Sequence, residues 1–178
     1  RRTNREGGGG MSFEQVKRFF DGCGLGGRVM RFEVSSATVG LAAEAVGCEP
    51  ARIAKTLSFL VGEQPVLIVT AGDARVDNKK YKQQFHEKAR MIPHAEVEAR
   101  VGHAPGGVCP FAVREGVTVY LDVSLRRFQT VYPAAGSADS AVRLSLDELE
   151  QCSSGFAAWV DVCKDWAGGA GAQNRSPA

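Results

Sequence analysis

Apolar residues at Phe13, Val16, Phe19 and Phe20 recur at helical spacing until the glycine-rich run from Gly22 to Gly27 interrupts them. Ser12-Phe13-Glu14-Gln15 has the pattern of a capping box, so the first helix is predicted over 12–22. Arg28 to Val34 alternates as a strand does. Ser35-Ser36-Ala37-Thr38 then opens a short helix that carries Leu41, Ala42, Ala45 and Val46 and closes at Gly47. Ile53–Val61 and Val66–Ala71 are rich in branched apolar residues. Gly62-Glu63-Gln64-Pro65 divides them, which predicts an antiparallel hairpin.

Asp77 is placed to cap a helix in which Tyr81 and Phe85 face inward, while Lys79, Lys82 and His86 share another face. A further helix is predicted over Pro93–Val101, with proline in its first turn. Val117–Leu121, Thr130–Tyr132 and Ala141–Leu146 read as strands, with a turn of helix at Leu125-Arg126-Arg127. Ser145-Leu146-Asp147-Glu148 is a second capping box, starting a helix that carries Leu149 and Cys152. Phe156, Trp159, Val160 and Cys163 fall at i, i+3, i+4 and i+7, which predicts an amphipathic closing helix. Irregular interleaving with short connections gives an α+β fold, a single domain with a central mixed, barrel-like β-sheet surrounded by helices. The domain is read as 11–166. Residues 1–10 and 167–178, small, polar and glycine-rich, are read as disordered tails.

At 178 residues and 44% apolar composition the chain can bury one sizeable core. A formal net charge of +2 implies no overall electrostatic steering, so a nucleic-acid partner has to be met by a local basic patch. No apolar run is long enough for a membrane span and no secretory signal is visible, so the expectation is a soluble, cytoplasmic protein. Five cysteines without a C-x-x-C pair, and three histidines outside zinc-ligand spacing, give no metal site, no cofactor and no disulfide framework. Most of the cysteines, Cys48 among them, are expected in the core.

Two stretches carry candidate chemistry. Gly102 to Phe111 contains three glycines and two prolines, which forbid ordinary helix or strand. Glycine admits close approach of backbone N–H and C=O groups to a ligand, and proline fixes the path. The segment reads as a binding loop, or else as a tight connection whose glycines satisfy turn dihedrals. Lys55 is the second: Ile53-Ala54-Lys55-Thr56-Leu57-Ser58-Phe59-Leu60 sets one ammonium in an apolar strand, where it is costly unless paired or used. An edge lysine that snorkels to water is the other reading.

Ala54-Lys55-Thr56-Leu57, Val69-Thr70-Ala71-Gly72-Asp73 followed by Val76-Asp77-Asn78-Lys79-Lys80, the Gly106-Gly107-Val108-Cys109-Pro110 loop and Ala134-Ala135-Gly136 resemble, in order, the YbaK/ProX-type aminoacyl-tRNA editing domain. The likeness covers about residues 12 to 152. That family includes free-standing trans-editing deacylases and the editing domains of prolyl-tRNA synthetases. The resemblance implies hydrolysis of the ester joining a wrong amino acid to the terminal ribose of a tRNA, with no metal or cofactor. It implies that Lys55 and Gly106 serve catalysis and that Thr56, Gly107, Val108, Cys109, Pro110 and Phe111 bind substrate. Fixed N–H donors would stabilise the oxyanion while the ammonium holds the 3' end. The implied partners are mischarged tRNA and, through the synthetase-associated members, an aminoacyl-tRNA synthetase.

Lys79, Lys80 and Lys82, with Lys88, Arg90 and His86 nearby, form the densest basic cluster and are expected to meet tRNA; Arg126-Arg127 is a smaller second one. A solvated helix face is the alternative. A rival chemistry would use Cys109 as nucleophile and His103 as base, although their short spacing argues against convergence. A second function class is a non-catalytic tRNA-binding or synthetase-associated module of the same fold. Some members of the family carry an aspartate where this chain has Ala141, so a small, weakly polar pocket is expected. The Gly106-Gly107-Val108-Cys109-Pro110-Phe111 loop and the Ala134-Ala135-Gly136-Ser137 segment differ from what the resemblance leads one to expect of cysteine-specific members, so serine, threonine or alanine is expected in preference to cysteine.

Overall fold

Chain order explains most of the architecture, which the computed structural model describes for residues 9–166. The elements are α1 (Gly9–Gly22), β1 (Val29–Arg31), α2 (Val39–Val46), β2 (Ile53–Val61), β3 (Gln64–Ala71), β4 (Arg75–Val76) and α3 (Asn78–Phe85). There follow α4 (Val97–Val101), β5 (Thr118–Asp122), β6 (Thr130–Pro133), β7 (Ser140–Val142), β8 (Leu144–Ser145), α5 (Leu146–Cys152), β9 (Phe156–Val160) and β10 (Cys163–Lys164). The predicted hairpin forms the middle of the sheet, with Lys55 opposite Thr70 and Leu57 opposite Ile68. Around it the strand order is β8-β6-β2-β3-β5-β9, a curled, mixed six-stranded half-barrel, as the α+β reading expects. Parallel pairing joins β2 to β6, β3 to β5 and β5 to β9, while β6 and β8 are antiparallel. Two small ladders, β1 with β7 and β4 with β10, close the flanks.

Helix ends follow local chemistry. Thr38 caps α2 by accepting from Leu41 N, and Gly47 ends it in the left-handed region. Asp77 caps α3 through Lys80 N, and Ser145 with Glu148 forms the predicted capping box of α5. On α3, Tyr81 packs between Phe59 and Phe85, with ring centroids 5.2 and 4.7 Å away, so the aromatic pair belongs to the core. On α1, Val16 and Phe20 are fully buried, and Phe20 meets the Phe111 ring edge-on at 4.8 Å.

Several sequence expectations are corrected, among them the strand read over Ala141–Leu146, which is two: β7 pairs with β1 and β8 with β6. The segment from Phe156 to Cys163 is not a closing helix: β9 lies parallel to β5, and β10 pairs with β4. Residues three and four apart fit either element in so short a stretch, and the open edge of β5 needed main-chain partners. Buried Asp122 reinforces this choice by accepting from Val162 N and Ser124 N, each at 2.9 Å. Ser12 is not an N-cap. Helix α1 begins at Gly9, inside the segment read as a tail, and the Ser12 hydroxyl instead meets the buried His103 imidazole. The strand expected over Arg28–Val34 shrinks to Val29–Arg31, because its partner β7 is three residues long. The tail readings for 1–8 and 167–178 lie outside the described residues.

Cys109, Cys152 and Cys163 are buried free thiols, whereas Cys48 is half-buried and Cys23 exposed. The loop at Gly107 is packed most tightly. A Cβ there would stand 2.8 Å from the backbone N and Cα of Ser137 and 2.9 Å from the carbonyl carbon of Gly136. Backbone cannot yield as a side chain can. Gly107→Ala is therefore expected to destabilise the fold by about 1–3 kcal/mol, the range for overpacking. Gly40→Ala on the exposed side of α2, with nothing within 4 Å, should stabilise it by about 0.5–1 kcal/mol through helix propensity. Urea unfolding of both variants measures the contrast, and equal effects would contradict the packing assignment.

Candidate active site

Strand β2 has two different neighbours along one edge. At Ile53 and Ala54 it pairs with Tyr132 and Pro133 of β6. Farther on, Ile92 N donates to Ser58 O at 3.0 Å and Leu60 N donates to Arg90 O at 2.9 Å, forming a bridge centred on Phe59 and Met91. Between these contacts the edge is open. Ser58 and Leu60 turn their main-chain groups to this side, so strand alternation sends the N–H and C=O of Thr56 into the gap. Neither has a main-chain partner among the described residues, and Thr56 Oγ1 is likewise buried without one.

A cavity of about 530 Å³ occupies this gap. Its floor is β2 from Ile53 to Ser58; the start of α2 with Thr38 and Val39, the Met91–His94 segment, Tyr132 and Ala141 form the sides. Pro105, Gly106 and Val108 line a further side, and the cleft stays half open to solvent. The volume lies within the range of small-molecule sites, and the wall is mainly apolar with a few convergent polar groups.

The residues singled out by sequence divide into two shells. Lys55, Thr56, Gly106 and Val108 reach the cavity wall, whereas Gly107, Cys109, Pro110 and Phe111 are buried behind it. Gly106 is exposed, with φ at 88°, and its position would bring a Cβ within 3.3 Å of Ala138 and 3.4 Å of Ala37. The loop therefore needs glycine twice: at Gly106 for dihedral and clearance, at Gly107 for packing. Ala141 lines the cavity. Asp139 does not; it accepts from the Ser137 hydroxyl at 2.6 Å and from Arg31 at 3.3 Å. Sequence reasoning missed the contributions of α2, Met91–His94 and Tyr132. The cap at Thr38 was legible, but nothing local says that it sits over β2.

Lys55 is half-buried and donates to the carbonyls of Gly72, at 3.4 Å, and Ala74. Desolvation holds its ammonium below the ordinary lysine range; Cys163 and Asp73 oppose that effect and Arg75 adds to it. The turn that anchors it is fixed by contact, since a Cβ on Gly72 would lie 2.0 Å from Pro50 O and 2.7 Å from Val39 Cγ1. One glycine thus lets the lysine anchor, α2 and the entry to β2 meet.

Behind the loop, His103 and Cys109 do converge, with Sγ 3.4 Å from Nε2, despite their short separation in sequence. Nε2 also lies 2.6 Å from Phe111 O, a pure acceptor, so the proton belongs there and Nδ1 accepts from the Ser12 hydroxyl. Burial holds the imidazole below the usual histidine range, a trend that the Phe111 bond opposes. Burial pushes the Cys109 thiol up to about 12. A fully buried, protonated thiol is no nucleophile at neutral pH. The cluster instead ties α1 to both ends of the loop.

On α3, Lys79 and Lys82 are exposed, while Lys80 is occupied by Asp161 at 3.0 Å and Cys163 O at 2.9 Å. Among the described residues no group of three or more His, Cys, Asp or Glu side chains is placed to hold a metal, and no helix is long and apolar enough to cross a membrane.

Similarity to known proteins follows the same outline. The uncharacterized protein YwhH of Bacillus subtilis (strain 168) is 52% identical over 157 residues, 88% of this chain and 99% of that protein. A proline–tRNA ligase of Limosilactobacillus fermentum is 33% identical over 95 residues, 50% of this chain but 17% of the ligase. A solved structure described as a proposed trans-editing enzyme for prolyl tRNA synthetase superposes with a TM-score of 0.76 at 28% identity, covering 86% of this chain and 97% of the other. The aminoacyl-tRNA editing domain matches residues 33–152, the segment that contains the open edge of β2, the lysine anchor and the glycine loop, and the chain belongs to that family.

Proposed function

We propose that this protein is a deacylase that hydrolyses the ester of tRNA carrying a wrong, small amino acid. The observation that carries the reading is the cavity at the interrupted edge of β2. It presents unpaired main-chain groups of Thr56, the Lys55 side chain and the Gly106 turn to one half-open cleft. In the proposed reaction a water oxygen attacks the ester carbonyl carbon. The resulting oxyanion accepts from fixed N–H groups on the cavity wall. The bond to the ribose oxygen then breaks, and that oxygen takes the proton given up by the attacking water, releasing amino acid and tRNA. Main-chain donors suit this step because they need no reorganisation as charge develops. Lys55, held by Gly72 and Ala74, supplies positive charge near the terminal nucleotide and does not serve as the base.

Ala141, Val108 and Val39 offer no charge at the wall, which supports a small, uncharged amino acid; alanine, serine or threonine, in preference to cysteine, is the amino acid proposed to be released. Such a wall separates near-isosteres by only about 1–3 kcal/mol per group. Cooperation with a synthetase is part of the proposal, supported by the similarity to a segment of a proline–tRNA ligase. A second reading, a tRNA-binding module without activity, draws on one observation: the Lys55 ammonium already has two carbonyl partners.

Deacylation of tRNAs charged with alanine, serine, threonine and cysteine separates these readings. Turnover on one of the first three supports the proposal; none on any of the four supports the silent module, and a strong preference for cysteine overturns the substrate assignment. Lys55→Ala should remain folded by circular dichroism and lose roughly 10²-fold in turnover, the scale of removing one electrostatic contact. Unchanged turnover would remove Lys55 from the site. Cys109→Ala should keep most of its activity, and abolition in a folded protein would restore the thiol as nucleophile.

A further inference from the structure

The turn that holds Lys55 continues into a surface made of alternating arginines and aromatic rings. Asp73, between the two carbonyls that anchor the lysine, receives both ends of the Arg127 guanidinium, at 2.9 and 2.5 Å. Arg127 lies 4.9 Å from the Phe128 ring centroid and 5.0 Å from that of Trp166. Arg52, the residue before cavity-lining Ile53, also lies 4.9 Å from the Phe128 centroid. Exposed Arg126 sits 4.5 Å over Trp159. Arg52, Phe128, Arg127 and Trp166 thus form one connected cluster that adjoins the cavity through Ile53, and Arg126 on Trp159 is its neighbour in sequence.

Arg127 has its carboxylate, whereas Arg52 and Arg126 form no ion pair among the described residues. Each guanidinium lies over a ring. The opposite face of a guanidinium and its N–H edge remain suited to a planar base and a phosphate. Exposed lysines on α3 are different: Lys79 and Lys82 are hydrated point charges on flexible stems, which attract any phosphate chain. Planar cations fixed on rings match unpaired nucleotides, whose bases are free to stack.

We propose that the surface built from Arg52, Arg126, Phe128 and Trp159 receives the single-stranded 3' end of the tRNA acceptor arm and leads its terminal nucleotide to the cavity. This rests on the deacylase reading for what the RNA carries, but it is tested without hydrolysis. The probes are two uncharged RNA hairpins with one acceptor-stem sequence, one bearing the CCA overhang and one blunt. Their binding to the full chain is followed by fluorescence anisotropy over a range of salt concentrations.

The wild type is expected to prefer the overhang. Arg126→Gln and Arg52→Gln should each weaken overhang binding on the order of tenfold, bring it towards the blunt hairpin, and reduce the salt slope by about one. Arg52→Lys, which keeps the charge and removes the plane, should keep the slope and lose the overhang preference. The double variant Lys79→Gln, Lys82→Gln should weaken both hairpins alike. An overhang preference that survives in both glutamine variants, or that only the lysine pair abolishes, overturns the proposal. A wild type that shows this arginine-dependent preference yet cleaves no charged tRNA supports the surface and removes the deacylase reading alone. A wild type that cleaves, with glutamine variants that bind as it does, overturns the surface alone.

Discussion

The pairing of β2 changes partner partway along its edge, and the candidate site depends on that interruption. A strand in the middle of a sheet normally spends its main-chain groups on both neighbours. Here β6 leaves after Ala54, and the Met91 segment does not arrive until Ser58. The gap holds a half-open cavity bounded by α2 and the glycine loop. Antiparallel pairing with β3 is continuous across the same residues, so the open edge is held straight by its other side. Rigidity and availability therefore come from the two edges of one strand.

Two buried junctions hold the walls in place. At the first, Ser12, His103 and Phe111 link α1 to the loop, while Gly136 brings the chain so near α1 that a Cβ would lie 2.6 Å from Ser12 O. At the second, Gly72 presses against Pro50 and Val39, and its carbonyl accepts from Lys55. Both use glycine for backbone contact and a titratable side chain for direction. In each, burial favours the uncharged form, yet the settings differ: His103 is enclosed on all sides, whereas Lys55 remains half-exposed at the cavity. That difference separates a group that positions the loop from one able to meet a ligand.

Much of this was legible in the sequence where local chemistry decides structure. Thr38, Asp77 and Ser145 cap the helices that follow them, and the Ile53–Ala71 hairpin stands in the sheet as its apolar pattern requires. Lys55 was conspicuous as an ammonium in an apolar strand, and Gly106 as a turn with positive φ. Long-range pairing was not legible. Phe156–Val160 has a spacing that fits a helix, and only the vacant edge of β5 made it a strand. Ser12 carries a capping pattern, and only a buried imidazole ninety-one residues away gave its hydroxyl another use. For the same reason the loop sequence could not separate Gly106 and Val108, on the wall, from Cys109 and Phe111 behind it.

The central claim is that the ligand binds at the open edge of β2. It is tested most directly by backbone amide chemical shifts of the full-length protein, titrated with a non-hydrolysable amide analogue of alanyl-adenosine. The account predicts that the largest changes fall on the amides of Thr56, Gly106 and Val108, with slowed hydrogen exchange at Thr56. Changes concentrated on α3, with Thr56 unaffected at saturation, would contradict it.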